Sequence, residues 1–538
     1  VNTTPTLTKE HKKLLRNKIF RHLEGIPLSA VIRQLSSKGV LDHIGKEWTD
    51  LQVLTAQFSA NEGYLNVALR LLCSQGWLEQ RSENCGTIVK FRRTELGDGA
   101  LKHTSAYDGQ SDFYEVARSF VSLFKDGFDA DSLNILKKHI ESFEADWSLQ
   151  GIDAELTRQI SRHREGPIAG AILVQLGMSG FIDGLESNAL PKLESLSGDH
   201  WPLIYRAIRK LGWSAEENGV EVLTDEGQFM FKRASAYGVT VSYLQTFCWL
   251  DELLFGKGNA LWDKPLDTPE IHVDRTMNVW GSGGAHSTYF RKIDEIVTRI
   301  FNLPIEEQPK GIADMGCGNG AFLEHLYHLI KTQTKRGQML DEHPLLIVGS
   351  DFNEAALVSS KTTLDAAGID AHLLHGDIGD PDALAQDLKQ MFGVDLGEVL
   401  NVRSFLDHNR IFQAPDSIDE GRTAHSTGAF AFRGRRLPNT EVEQNLFNHF
   451  TKWLPYVQKF GLLVIELHTI RPEIAAQNLG VTAITAYDGT HGFTDQYIVE
   501  HDVFLAIAKE AGLTADPACH EAYPPGDLTT VSINLLKN

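Results

Sequence analysis

Cysteine is scarce in this chain. Its five residues, Cys73, Cys85, Cys248, Cys317 and Cys519, lie far apart and never form Cys-x-x-Cys, which argues against a disulfide framework or a thiolate zinc site. No run of about 18 uninterrupted apolar residues occurs, and the N-terminus lacks a basic-then-apolar signal pattern, so a cytoplasmic location with no membrane partner is expected. Positive charge is also in deficit: 51 Lys and Arg against 71 Asp and Glu leave a net charge of -20. Affinity for nucleic acid comes largely from Lys and Arg on phosphates, so no nucleic-acid partner is expected. What is present, 538 residues with 42% hydrophobic and 23% charged, describes a soluble globular protein of two to four domains.

The first 250 residues repeat. Glu24-Gly25 recurs as Glu165-Gly166, the Gly76-Trp77 pair as Gly212-Trp213, Thr94 to Gly97 as Thr224 to Gly227, and Ser105-Ala-Tyr107 as Ser235-Ala-Tyr237. The order is the same in both copies. Each copy reads as helices followed by a short β-hairpin whose polar tip is Ser82 to Gly86 or Glu216 to Gly219. This pattern looks like a winged-helix module of the kind found ahead of many small-molecule methyltransferases, where it dimerises and walls the active site. Two copies in one chain can pack as two chains would, so a monomer is expected over a homodimer. Residues 108–160 and 238–270 carry aromatic and aliphatic stripes on helical spacing, which read as packing connectors.

The most informative stretch is Gly311-Ile-Ala-Asp-Met-Gly-Cys-Gly-Asn-Gly320. An apolar strand runs into Gly-x-Gly-x-Gly, a tight turn that lets a ligand approach the backbone, and a helix follows from Ala321 to Lys331. A second apolar strand ends at Asp351, where a ribose diol would lie, and a third carboxylate follows at Asp377. A dinucleotide fold prefers Gly-x-Gly-x-x-Gly, which is not the spacing here. The set resembles the first three motifs of class I S-adenosylmethionine (SAM)-dependent methyltransferases over roughly residues 270–538. The resemblance implies a Rossmann-like α/β domain in which the turn with Gly316, Gly318 and Gly320 cradles the methionine part of SAM, Asp351 holds the ribose hydroxyls and Asp377 contacts the adenine amino group, with Asp314, Phe352 and Ile378 as further cofactor contacts. Arg403 is added as a cofactor contact.

The expected organisation is a first winged-helix-like module over 1–110, a helical connector over 111–160, and a second module over 161–245. A helical linker and active-site cover loop over 246–290 then leads to the methyltransferase domain over 291–538, with a lid insertion at about 411–443. The cover loop, His272 to Phe290, offers Asp274, Arg275 and His286 as polar contacts, or is an ordinary corner between domains. The lid carries Arg422, Arg433, Arg435 and Arg436, a basic patch suited to a carboxylate, a phosphopantetheine phosphate or an acidic carrier helix, or else solvated.

Chemistry is expected at the ends of the fourth and fifth strands, Glu398 to Arg410 and Gly461 to His468, because open parallel sheets collect ligands at that edge. These strands deliver Asp407, His408 and His468, and the stretch Asp488 to Tyr497 adds His491, Asp495 and Gln496. Two imidazoles with a carboxylate and a carboxamide make an N/O set suited to iron or manganese. The plainer alternative makes His408 and His468 a general base and a hydrogen-bonded core residue. Val402 to Arg410, Glu466-Leu-His468 and Asn278 to His286 resemble the metal-dependent C-methyltransferases of polyketide starter-unit assembly, of the apratoxin loading-module type. That resemblance implies an iron or manganese ion and methylation of the α-carbon of a malonyl-type thioester on an acyl carrier protein. The metal ligands taken forward are His408, His468 and Gln496, with Asp407 and His491 in reserve, and the catalytic residues His408, His491 and Asp407. The chain ends soon after its last strand with no acyltransferase or carrier domain attached, so a carrier-bound substrate would come on another chain or on a segment missing here. A metal-free O- or N-methyltransferase acting on a small molecule and a noncatalytic SAM-binding regulator or scaffold are the competing readings.

Overall fold

The computed structural model describes residues 7–84, 86–144, 154–185, 187–263, 270–283, 286–423 and 425–538. They form two compact units. The first comprises Val1–His286 with two returning segments, Ala429–Arg436 and Arg471–Asp495; the second comprises Ser287–Gly428, Leu437–Ile470 and Gln496–Asn538.

Two long helices organise the first unit, α1 (Lys9–Ser37) and α2 (Ala154–Met178). They cross where a Cβ on Gly25 would press into the backbone of His163 and one on Gly166 would strike the carbonyl of His22. Glycine alone permits that approach. The crossing brings His22 Nδ1 to 2.8 Å from the Tyr237 hydroxyl and His163 Nδ1 to 2.9 Å from the Tyr107 hydroxyl. These are equivalent positions of the repeat, and each histidine meets the tyrosine of the other copy. The two copies therefore pack reciprocally.

Both expected hairpins are present, Leu78–Glu83 with Ile88–Arg93 and Ser214–Glu217 with Val220–Leu223. Each follows a Gly-Trp pair whose tryptophan is fully buried. Each leads into a helix capped by threonine, with Thr94 accepting the N–H of Gly97 and Thr224 that of Gly227, both at 3.0 Å.

Two sequence expectations are corrected in this unit. The cover loop is largely helical, as Arg275–Gly283 and the start of His286–Ile300, with Gly281 seated against Gly238. Asp274 caps the first of these helices through Met277 N–H at 3.0 Å and Arg275 pairs with Glu270 at 2.8 Å, so both are structural. The side chain of His286 lies outside the described residues. The lid, for its part, is divided. Its hairpin, Phe430–Phe432 and Arg435–Leu437, falls largely in the first unit, tied there by Arg436 to Glu62 at 2.6 Å and by Arg433 to Asp495 at 3.4 Å. Arg422 belongs to the second unit and pairs with Glu510 at 2.9 Å. Arg422, Arg433 and Arg436 are thus spent on internal ion pairs.

The second unit is a seven-stranded sheet: β1 (Gly311–Met315), β2 (Leu346–Asp351), β3 (His372–His375), β4 (Leu400–Ser404), β5 (Leu462–Leu467), β6 (Thr514–Tyr523) and β7 (Val531–Lys537). The order across the sheet is β6-β7-β5-β4-β1-β2-β3, and β7 runs antiparallel to both its neighbours. β1 and β5 are buried along their whole length, as continuous apolar runs covered on both faces require. The order reverses between β1 and β4, which makes their carboxyl ends the crevice of a Rossmann-like fold. Helix α3 (Ala321–Gln333) leaves the glycine turn, and α4 (Asn439–Val457) joins β4 to β5.

Candidate active site

The glycine turn after β1 has the geometry its composition demands. Gly316, Gly318 and Gly320 have φ of 80°, 56° and 79°, which side-chain-bearing residues rarely adopt. A Cβ on Gly316 would press on Leu406 and one on Gly320 on Ser360, whereas nothing lies within 4 Å of such an atom on Gly318. The middle of the turn is open to a ligand. Asp314 beneath it is buried with Oδ1 unpartnered, and burial together with nearby Asp351 raises its pKa well above the carboxylate range.

Asp351 accepts the N–H of Gly318 at 3.0 Å through one oxygen and that of Asn353 at 2.9 Å through the other. Each oxygen keeps acceptor capacity for a hydroxyl. Phe352 is 60% exposed, and its carbonyl accepts from His375 Nε2 at 3.0 Å. Asp377 accepts the N–H of Gly379 at 2.7 Å, and the Ile378 carbonyl accepts from Trp453 Nε1 on α4 at 2.7 Å. These residues come to one edge as expected and fit SAM: the turn would hold the methionine end, Asp351 the ribose and the Asp377 loop the adenine.

Arg403 differs from expectation. It is fully buried on β4, stacked 4.2 Å over Trp453 and paired with Asp407, so it braces the strand from within. Asp407 also accepts from His449 Nε2 at 2.8 Å. Burial alone would raise the Asp407 pKa, but Arg403, His449 and Arg410 outweigh it and hold the group below the usual range. Burial and Arg403 in turn lower His449 to about 4. Asp407 thus sits inside an ion-pair network with Arg403 and His449.

His408 occupies the next position, and its Nδ1 bonds Oε1 of Glu466 on β5. Both side chains are buried. Leu467 N–H also donates to Oε1 at 2.7 Å, and the His408 carbonyl accepts from Tyr497 N–H at 2.7 Å. Backbone bonds thus anchor both members of the pair. Glu466 was not among the candidate residues taken from sequence, although its alternation with His468 on one strand was a usable signal.

Two of the expected metal ligands, His408 and His468, carry hydrogen bonds to protein side chains. His468 Nε2 bonds Ser532 Oγ at 2.7 Å, and its ring packs between His501 and Phe504 at 5.1 and 5.3 Å. Burial, with His501 nearby, pushes its pKa well below 6.5, so it is the hydrogen-bonded core histidine of the plainer alternative. Gln496 is buried in the second unit. His491 belongs to the first unit, where its Nδ1 lies 2.8 Å from the Tyr487 carbonyl and 3.0 Å from Thr490 Oγ1; Asp495, also of that unit, accepts from the Tyr64 hydroxyl at 2.9 Å. Among the described residues no group of three or more His, Cys, Asp or Glu side chains could hold a metal ion. The expectation of a bound metal is left without support among the described residues.

Sheet order, glycine turn and the paired acids of β1 and β2 define a SAM-dependent methyltransferase of class I. Residues 270–534 match the AprA MT2-like domain, residues 15–80 the AprA N-terminal domain and residues 165–257 the AprA winged helix domain. The chain belongs to the AprA-like family of SAM-dependent methyltransferases. No curated protein is matched. Similar solved structures include an O-methyltransferase family protein from Burkholderia thailandensis, at 13% identity over 69% of this chain and 94% of that one, with a TM-score of 0.37. Another is a family 2 O-methyltransferase from Planctomyces limnophilus in complex with apigenin, at 11% identity over 99% and 96%, with a TM-score of 0.38. The DszA carbon methyltransferase is similar at 10% identity over 69% and 88%, with a TM-score of 0.29.

Proposed function

We propose that this chain methylates a carbon made acidic by neighbouring carbonyl groups, of the malonyl- or β-keto-acyl type used in polyketide and related natural-product assembly, with His408 as general base. The observation that carries the reading is the buried His408–Glu466 pair beside the crevice of the sheet. With Glu466 accepting from Nδ1–H, the neutral imidazole keeps its lone pair on Nε2, the tautomer a base requires. As His408 takes the proton from the α-carbon, the imidazolium that forms is balanced by the Glu466 carboxylate. SAM, when bound, supplies an electrophilic methyl on a sulfonium. Asp314, the glycine turn and Asp351 hold that partner in place, and positioning of this kind contributes much of a methyl-transfer rate. No step needs a metal.

The acceptor is proposed to be a thioester on an acyl carrier protein. Intact mass spectrometry of malonyl carrier protein incubated with SAM and this chain tests the reading, followed by hydrolysis of the thioester and identification of the released acid. Methylmalonate is the expected product. A methyl ester, or an unchanged carrier together with methylation of a free hydroxyl or amine, would replace carbon methylation by O- or N-transfer on a small molecule. SAM binding with no turnover on any acceptor would leave the regulator reading.

A further inference from the structure

β4 leaves the sheet through Phe405, whose φ is 55°. A bulky residue in the left-handed region is strained and persists only where its surroundings fix it. Here the fixing is visible: Phe405 N–H donates to the Ile465 carbonyl of β5 at 2.8 Å, and the next side chain, Leu406, fills the space beside Gly316.

Phe405 meets one aromatic ring, Tyr289, which in turn meets a third, Tyr523. Tyr289, in the first turn of helix His286–Ile300, lies with its centroid 6.0 Å away at 69°. Tyr523, the last residue of β6, stands 5.3 Å from Tyr289 at 71°. Three segments distant in sequence thus converge at one place. All three side chains are half-buried. Tyr523 is register-paired with Val531, which pairs with Leu467 at the carboxyl end of β5, so the cluster stands at the ligand edge of the sheet. Fully buried aromatics would need no explanation beyond packing; rings left half-covered at the ligand edge of the sheet call for one.

We propose that Tyr289, Phe405 and Tyr523 form an aromatic wall that recognises the sulfonium of SAM through the negative faces of the rings. This rests on the placement of SAM in the glycine turn. The sulfonium carries a positive charge that methyl transfer removes, so an aromatic wall attracts SAM more than S-adenosylhomocysteine, the neutral thioether product. The wall then acts as a specificity element that favours cofactor over spent product.

The test is isothermal titration of the chain with SAM and with S-adenosylhomocysteine, for wild type and for Tyr289→Leu and Tyr523→Leu made separately. Each loss of a ring should raise the Kd for SAM about fivefold and leave the product's Kd within about twofold. Tyr289→Phe and Tyr523→Phe, which keep the ring, should bind as wild type. Equal loss for both ligands, or no loss for either, overturns the wall. A wild type that binds neither ligand, or an Asp351→Ala variant that binds SAM as tightly as wild type, removes the cofactor placement itself, and the proposal falls with it. Melting curves on each variant separate unfolding from lost recognition, and the two leucine variants are independent, so failure of one to fold leaves the other decisive.

Discussion

Asp351 accepts the backbone N–H of Gly318 at 3.0 Å. The acid at the end of β2 and the glycine turn at the end of β1 are one mechanical piece, and the loss of either disturbs the other. Asp351→Ala should therefore raise the Kd for SAM by at least about tenfold, since a charge-assisted bond to the turn disappears along with the ribose contact. Asp351→Asn, which keeps one acceptor, should fall between the two. Titration calorimetry reads both, and an unchanged Kd in the alanine variant places the cofactor elsewhere.

Glu466→Gln should lower kcat by about 10²-fold while leaving the KM for SAM near its wild-type value, because orientation of a general base acts on the chemical step. His408→Ala should lower it further. A Glu466→Gln variant whose KM rises with kcat unchanged would show that the pair is merely structural.

Prolonged dialysis against a chelator should leave methyl transfer within about twofold of the untreated rate, as expected where no step uses a Lewis acid. Activity lost in the chelator and restored by iron or manganese would return His408 and His468 to the role of ligands and refute the metal-free reading.

Glu24 of α1 is buried, and burial lifts its pKa from 4.5 to about 8 against the pull of Arg21. Between those values the folded state holds a proton that the unfolded state has released, so this contribution to stability falls as pH rises through the window. Glu24→Gln should therefore melt above wild type at pH 8, with the advantage shrinking towards pH 5. His22 and His163, lowered to about 4 and about 3 chiefly by burial, act in the opposite sense: each costs stability as pH drops below 6.5. Both are present in each protein and cancel in the comparison. A difference in melting temperature that stays constant across the range counts against the buried-acid account.

We propose that the reciprocal packing of the two winged-helix-like copies makes the chain a monomer. Sedimentation equilibrium should give the chain mass of 59.9 kDa. A value twice as large would mean that the tandem copies have not replaced a partner.

Much of the fold could be read because it is written in local chemistry. Glycines at positive φ, apolar strands and a Gly-Trp turn before each hairpin are decided by neighbours in sequence. The acids expected to meet SAM were legible for the same reason, since each lies at or just past the end of a strand. The base pair was half legible: His408 stood out, but its partner Glu466 lies on another strand, and the choice between metal ligand and hydrogen-bonded histidine depends on Ser532, His501 and Phe504, which no spacing places beside His468. Arg403 misled for a related reason. An arginine on a strand near the ligand edge looks like a contact until Asp407, His449 and Trp453 are seen to enclose it. The lid was legible as an insertion, yet its division between the two units rests on pairings such as Arg436 with Glu62, residues 374 positions apart.

The paired His–Tyr bonds across the two N-terminal copies are alike, but the outer side of each imidazole is not. His22 Nε2 lies 2.9 Å from the carboxylate of Glu165, whereas His163 Nε2 lies 3.1 Å from the carboxamide of Gln75. Two identical subunits meeting on an axis must show the same face twice, so any change appears at both ends together. Covalent linkage lifts that restriction: one half of this scaffold can acquire charge while the other stays neutral, and a substitution in either is tried once instead of twice.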